Sequence, residues 1–184
     1  MKIFTINNKT ETKFLRRKTV DFDFTTHNKK KINGLIKQMK EIMLAAPGVG
    51  LSANQVGMNL RFFIVQLPPE NISTNQHSDQ RKSAPNKFYA IFNPEIIKYS
   101  KETTIMEEGC LSVPGLYGEV ERPEKLTLIG QDKNGKKIKI KAWSLLARVF
   151  QHETDHLNGI LFIDKTKDVF EIPSTKHQIT NNIK

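Results

Sequence analysis

Gln151-His152-Glu153-Thr154-Asp155-His156-Leu157-Asn158-Gly159 is the stretch from which the rest of the chain is read. Two histidines four apart on a helix project from one face, a turn from each other. Both imidazoles therefore reach a single metal ion, and Glu153 stands beside them to carry a proton. The run from Trp143 to Phe150 supplies the rest of the helix. Leu145 and Val149 share the histidine face, while Leu146, Phe150 and Leu157 form a neighbouring apolar stripe. Ser144 is the expected N-cap and Gly159 the expected stop.

The bland alternative is a half-buried helix with two satisfied histidines. Two histidines do not complete a catalytic site, which normally takes three protein ligands and keeps one position open. The extended zinc-protease pattern H-E-x-x-H-x-x-G-x-x-H is followed as far as Gly159, but Phe162 stands where its third histidine belongs. The missing ligand must come from elsewhere. Cys110, the only cysteine, follows glycine in an irregular stretch beside Glu107 and Glu108. A lone cysteine is usually a small buried hydrophobe; here it is the best candidate, since a thiolate binds a borderline-soft ion tightly. Asp164, Asp168 and Glu171 are the carboxylate alternatives.

A chain of 184 residues with 38% hydrophobic content suits one domain, taken as 1–184. A single cysteine excludes an internal disulfide and favours a reducing compartment. No run approaches a membrane-spanning length, and no apolar secretory stretch stands at the start. The net charge of +10 reads as a solvated basic surface rather than a nucleic-acid site, because no basic-aromatic motif accompanies it.

Residues 1–26 begin irregularly, with a basic cluster at 13–18 that a transit peptide would share. Val20, Phe22 and Phe24 alternate like a packed extended segment, so this stretch is assigned to the domain. Ile32, Leu35, Ile36, Met39, Ile42 and Met43 recur at helical spacing up to a stop at Pro47. The stretch from Gly48 to Gly57 is too glycine-rich to be regular. It is either a connecting turn or a loop that lets backbone approach a ligand, with Gln55 supplying an amide donor. Residues 61–67 read as a buried strand; 68–87, which include His77, read as a polar surface insertion. Further strands are expected at 88–92, 96–99, 126–129 and 138–140, the last two flanking the hairpin signal Asn134-Gly135. Residues 165–184 lose periodicity and are expected to be a flexible tail, His177 included. The expected architecture is α+β: mostly antiparallel strands around a central metal-binding HExxH helix, with the first helix packed outside.

Three segments, taken together, resemble peptide deformylase. The family pattern joins a G-x-G-x-A-A-x-Q loop, an E-G-C-x-S segment and a Q-H-E-x-D-H helix. These stand here as Gly48-Val49-Gly50-Leu51-Ser52-Ala53-Asn54-Gln55, Glu108-Gly109-Cys110-Leu111-Ser112 and Gln151-His152-Glu153-Thr154-Asp155-His156. The resemblance runs from the first helix to Phe162. Ser52 replaces a patterned alanine, a small-for-small change. Tyr117 stands where many bacterial members carry arginine, and Arg148 where some carry isoleucine. The tail shows no clear pattern for the long helix with which some bacterial members dock on the ribosome.

The resemblance implies one divalent ion held by Cys110, His152 and His156, ferrous iron in the cell, with zinc, nickel or cobalt in isolated protein. It implies Glu153 as proton carrier, and the Gln55 amide and Leu111 N–H as donors to the developing oxyanion. Val49, Gly50, Gly115, Arg148 and Val149 would line the substrate pocket. Glu108 paired with Arg122, and Asp155 beside the ligand helix, would orient the ligands. The implied partners are N-formyl-methionyl nascent peptides and, transiently, the ribosome, with no membrane and no stable nucleic-acid complex. The implied location is the bacterial cytoplasm, an organelle being left open. Two other readings compete: an endopeptidase with a carboxylate third ligand, and a basic ribosome- or RNA-associated domain with a structural metal. Cys110→Ala separates the first from a deformylase, and Glu153→Gln separates the second from either enzyme.

Overall fold

The computed structural model describes residues 1–67 and 87–171. Three helices lie among them: Lys9–Leu15 (α1), Lys29–Ala45 (α2) and Ser144–Leu157 (α3). The strands are Gly50–Ser52 (β1), Phe62–Gln66 (β2), Phe88–Tyr99 (β3), Thr103–Cys110 (β4), Val113–Pro123 (β5), Lys125–Gln131 (β6), Lys137–Trp143 (β7) and Val169–Glu171 (β8). They form two antiparallel sheets, ordered β1-β2-β3-β6-β7 and β4-β5-β8, so the fold is α+β.

β2 explains how the larger sheet is covered. Successive side chains on a strand point to opposite faces. Phe63 and Val65 pack with Ile91, Leu128 and the α3 residues Phe150 and Leu157. Phe62 and Ile64 face the other way, onto Phe92 and the α2 residues Met39 and Met43. Both faces are buried, which is why β2 reads as an unbroken apolar run. β7, at the edge, alternates instead: Ile138 and Ile140 turn inward while Lys137, Lys139 and Lys141 stay in solvent. Such lysines discourage further strand pairing at the edge. α3 contacts every strand of the large sheet and also β5 of the small one.

The ends of α3 are secured by distant residues. Thr19 gives both its backbone N–H and its hydroxyl to Leu157 O (2.9 and 3.0 Å), and Asn54 Nδ2 bonds His156 O at 2.6 Å. These satisfy carbonyls that a helix end leaves without partners. Gly159 has φ +76°, and an added Cβ would overlap the Arg16 carbonyl, so the expected glycine stop is present. The expected N-cap is not: Trp143 takes that place without a side-chain capping bond, and Ser144 enters the helix at φ +52°.

Several local expectations need correction. The irregular N-terminus contains α1, capped by the Asn8 side chain, which accepts from Thr10 N and Glu11 N. The glycine-rich stretch is partly regular, with β1 followed by a short 3-10 helix over Ala53–Val56. The two strands expected at 88–92 and 96–99 are one strand with a bulge, where Asn93 takes φ +49° before Pro94. The stretch around Cys110 is not irregular either; it is β4, a turn and β5. The described part of the expected tail contains β8, paired with β5. The rest of that tail, from 172 with His177, and nearly all of the expected insertion (68–86, with His77) lie outside the described residues.

Candidate active site

α3 presents His152 and His156 one turn apart, and their Nε2 atoms approach to 3.1 Å. β4 ends with a register shift between Gly109 and Cys110, and Cys110 Sγ lies 3.1 Å from His156 Nε2. The donor atoms of Cys110, His152 and His156 all fall within 4.8 Å of one another, the one such trio among the described residues. The carboxylate alternatives do not join it. Asp164 is paired with Arg16 and accepts from Leu161 N, while Asp168 and Glu171 flank or form β8.

His152 is oriented from behind. Its Nδ1 lies 2.9 Å from Glu108 Oε2, which leaves Nε2 directed at the trio. Glu108 also accepts from Arg122 through Nε and Nη2 (2.6 and 2.9 Å) and from Arg148 Nη1 (2.7 Å). Arg122 continues to Asp155 at 2.7 Å, so Asp155, Arg122, Glu108 and His152 form one chain whose middle members, Arg122 and Glu108, are buried. Burial alone would raise the Glu108 pKa. The hydrogen bonds from His152 and Arg122 outweigh it and hold the carboxyl well below the usual carboxylate range. Burial likewise opposes charge on His152, yet Cys110 and Glu108 push its pKa well above the imidazole value. His156, buried beside a cationic His152, is pushed well below it. The two histidines of the trio are thus shifted in opposite directions.

Glu153 has quite different company. Burial raises its carboxyl to about 7, with His152 and Ser52 pulling the other way. Ser52 Oγ lies 2.6 Å from Glu153 Oε2 and 3.0 Å from Glu153 O. Glycine at position 50 makes the approach feasible, because an added Cβ there would overlap Glu153 Oε1. Gln55 is fixed through its oxygen, which accepts from Ser52 N at 2.8 Å. Its Nε2 then reaches Ser112 Oγ (3.1 Å) and Cys110 Sγ (3.5 Å). Two backbone bonds from the N-terminal segment, Phe4 N to Gln55 O and Ile6 N to Ser112 O, brace these residues from outside.

These groups open on a cavity of about 460 Å³ lined by Val49, Gly50, Gln55, Cys110, Leu111, Gly115, Arg148, Val149 and Glu153, among others. Arg148 borders it, but its guanidinium is committed to Glu108, Val120 O and Thr104 O, so it is no free cation for a substrate. Sequence reasoning paired Glu108 with Arg122 but missed Arg148 as a second arginine on that carboxylate, and missed Ser52 against Glu153. The one available signal for Ser52 was its hydroxyl at a position patterned as alanine.

The chain is similar to known proteins over most of its length. A family model described as polypeptide deformylase matches residues 1–170. A peptide deformylase of Halothermothrix orenii is 44% identical over 142 residues, 77% of this chain and 82% of the relative. The crystal structure of a probable peptide deformylase from Synechococcus phage S-SSM7 is 40% identical, covering 90% of this chain and 99% of that one, with a TM-score of 0.74. A class I type b peptide deformylase from Acinetobacter baumannii, bound to Met-Ala-Ser, is 30% identical, covering 90% of this chain and 97% of that one, with a TM-score of 0.75.

Proposed function

Since the chain belongs to the polypeptide deformylase family and removes the N-formyl group from nascent peptides, we propose that Cys110, His152 and His156 hold its metal and that Glu153 and Gln55 serve the chemistry. The donor set fits such an ion. Bonds of about 2.0–2.3 Å to a shared centre put ligand atoms roughly 3–4 Å apart; the Cys110–His156 and His156–His152 separations are both 3.1 Å. One thiolate and two imidazoles suit a borderline-soft divalent ion. When bound, that ion supplies Lewis acidity, acidifying a water and polarising the formyl oxygen.

The protein's own groups do the rest. Glu153, with a proton affinity near neutrality, accepts the water's proton and passes it to the departing amine, leaving formate and a free α-amine. Gln55 Nε2 and the Leu111 N–H stabilise the charge that grows on the formyl oxygen; losing one such donor costs about 3 kcal/mol. Glu108, held by Arg122 and Arg148, keeps the His152 ring in place, and Asp155 anchors Arg122. Val49, Gly50, Gly115, Arg148 and Val149 border the cavity that takes an extended peptide and its methionine side chain. The Met-Ala-Ser carried by the Acinetobacter relative is a peptide of the product's kind.

In this reading ferrous iron is the cellular ion, and oxidation of thiolate and iron explains replacement by zinc, nickel or cobalt on isolation. No helix among the described residues is long and apolar enough to cross a membrane. The substrate is met as it is synthesised, in the cytoplasm or an organelle that formylates its initiator, in transient contact with the ribosome. The convergence of Cys110, His152 and His156 beside Glu153 is the observation that carries the proposal. Its test is formate release from an N-formyl-methionyl peptide by anaerobically iron-loaded protein. Release should require Glu153 and fail with an N-acetyl peptide; release by Glu153→Gln at the wild-type rate would refute the assignment.

A further inference from the structure

We propose that Ser52 is a positioning residue for Glu153, its hydroxyl holding carboxylate oxygen Oε2 so that Oε1 remains over Gly50 beside the cavity. The proposal rests on the reading of Glu153 as the proton carrier and adds how that carboxylate is aimed. The 2.6 Å contact from Ser52 Oγ has the length of a hydroxyl bond to an ionised carboxylate. Ser52 is fully buried and Glu153 only 3% exposed, so the hydroxyl has no bulk water to bond instead. The terminal torsion of a glutamate is broad and weakly restrained on its own. A buried donor on one oxygen restrains it, and the glycine at 50 provides the room that the other oxygen occupies.

The same residue touches a second catalytic group by a different atom. Ser52 N, not its side chain, bonds Gln55 Oε1 and thereby aims Gln55 Nε2 toward Cys110 and Ser112. Replacing the hydroxyl therefore loosens Glu153 while keeping the bond from Ser52 N that holds the Gln55 side chain. Alanine belongs to the family pattern at this position, so the backbone tolerates it.

The experiment compares wild type, Ser52→Ala, Glu153→Gln and the double variant as iron-loaded proteins. Ser52→Ala should lower kcat about tenfold, as expected for loss of one hydrogen bond to a charged group, with KM changed less than about twofold. Bound metal per chain should equal that of wild type. In the Glu153→Gln background, Ser52→Ala should lower the residual rate no further. In metal-free protein the ¹³C carboxyl resonance of Glu153, identified by its loss in Glu153→Gln, should shift in Ser52→Ala. A wild-type kcat with an unmoved resonance in Ser52→Ala would overturn the inference alone. An equal loss from Ser52→Ala with and without Glu153 would overturn it as well, showing a merely structural effect. Full activity in Glu153→Gln would overturn both this inference and the reading beneath it.

Discussion

Glu108 and Glu153 are two buried carboxylates, 6% and 3% exposed, that flank the same histidine, and they are kept in opposite ways. Glu108 has two arginines and an imidazole on its oxygens and stays ionised. Glu153 has one serine hydroxyl, and burial raises it to about 7. A residue that orients a ligand needs a fixed charge; one that moves a proton must be able to hold it. The chain achieves both within one pocket by placing its buried cations beside the first carboxylate and a neutral donor beside the second.

The largest effect should come from removing the proton carrier. Glu153→Gln is expected to lower kcat by roughly a thousandfold while retaining bound metal, as measured by formate release and metal analysis. Next, Arg122→Met strips Glu108 of its bidentate partner and leaves Asp155 with Lys165 alone. Breaking a buried pair on one side costs roughly 3–5 kcal/mol, readable in denaturant unfolding, and metal affinity should fall with it as His152 loses its orientation.

The comparison also predicts opposite responses to pH in metal-free protein. The folded pKa of Glu153 lies above its unfolded value, so ionising it costs stability at high pH. Glu153→Gln should therefore be more stable than wild type above pH 7, the advantage fading as pH falls toward 4.5. The folded pKa of Glu108 lies below its unfolded value. Its contribution is present above the unfolded pKa of about 4.5 and is lost as pH falls below it. Glu108→Gln should accordingly flatten the acid limb of stability against pH. The smallest effect is expected from Arg148→Met, about 1–3 kcal/mol, because Glu108 keeps Arg122.

What could be read in the sequence was what local periodicity records. α2, α3, β2 and the β6–β7 hairpin repeat at 3.6 or 2 residues, or end in glycine turns, and they stand where expected. β4 was hidden because residues Thr103 to Glu107 are all exposed and carry no apolar alternation. β1 and β8 are three residues each, held only by partners distant in sequence. The histidine pair declared itself by spacing, whereas Cys110 needed the resemblance to separate it from the carboxylates. Arg148 meets Glu108 across 40 positions and Ser52 meets Glu153 across 101, so no local window could have joined them.

The braces from the N-terminal segment have a consequence for the order in which this site can come into being. Phe4 and Ile6 leave the ribosome before their acceptors Gln55 and Ser112, and Thr19 before Leu157. Cys110 is likewise made well ahead of His152 and His156. No early portion of the chain can assemble the pocket, because its closing contacts join residues separated by most of the domain. Loop closure on that scale slows folding. The pocket therefore cannot form during synthesis until α3 has been made and has docked against both sheets.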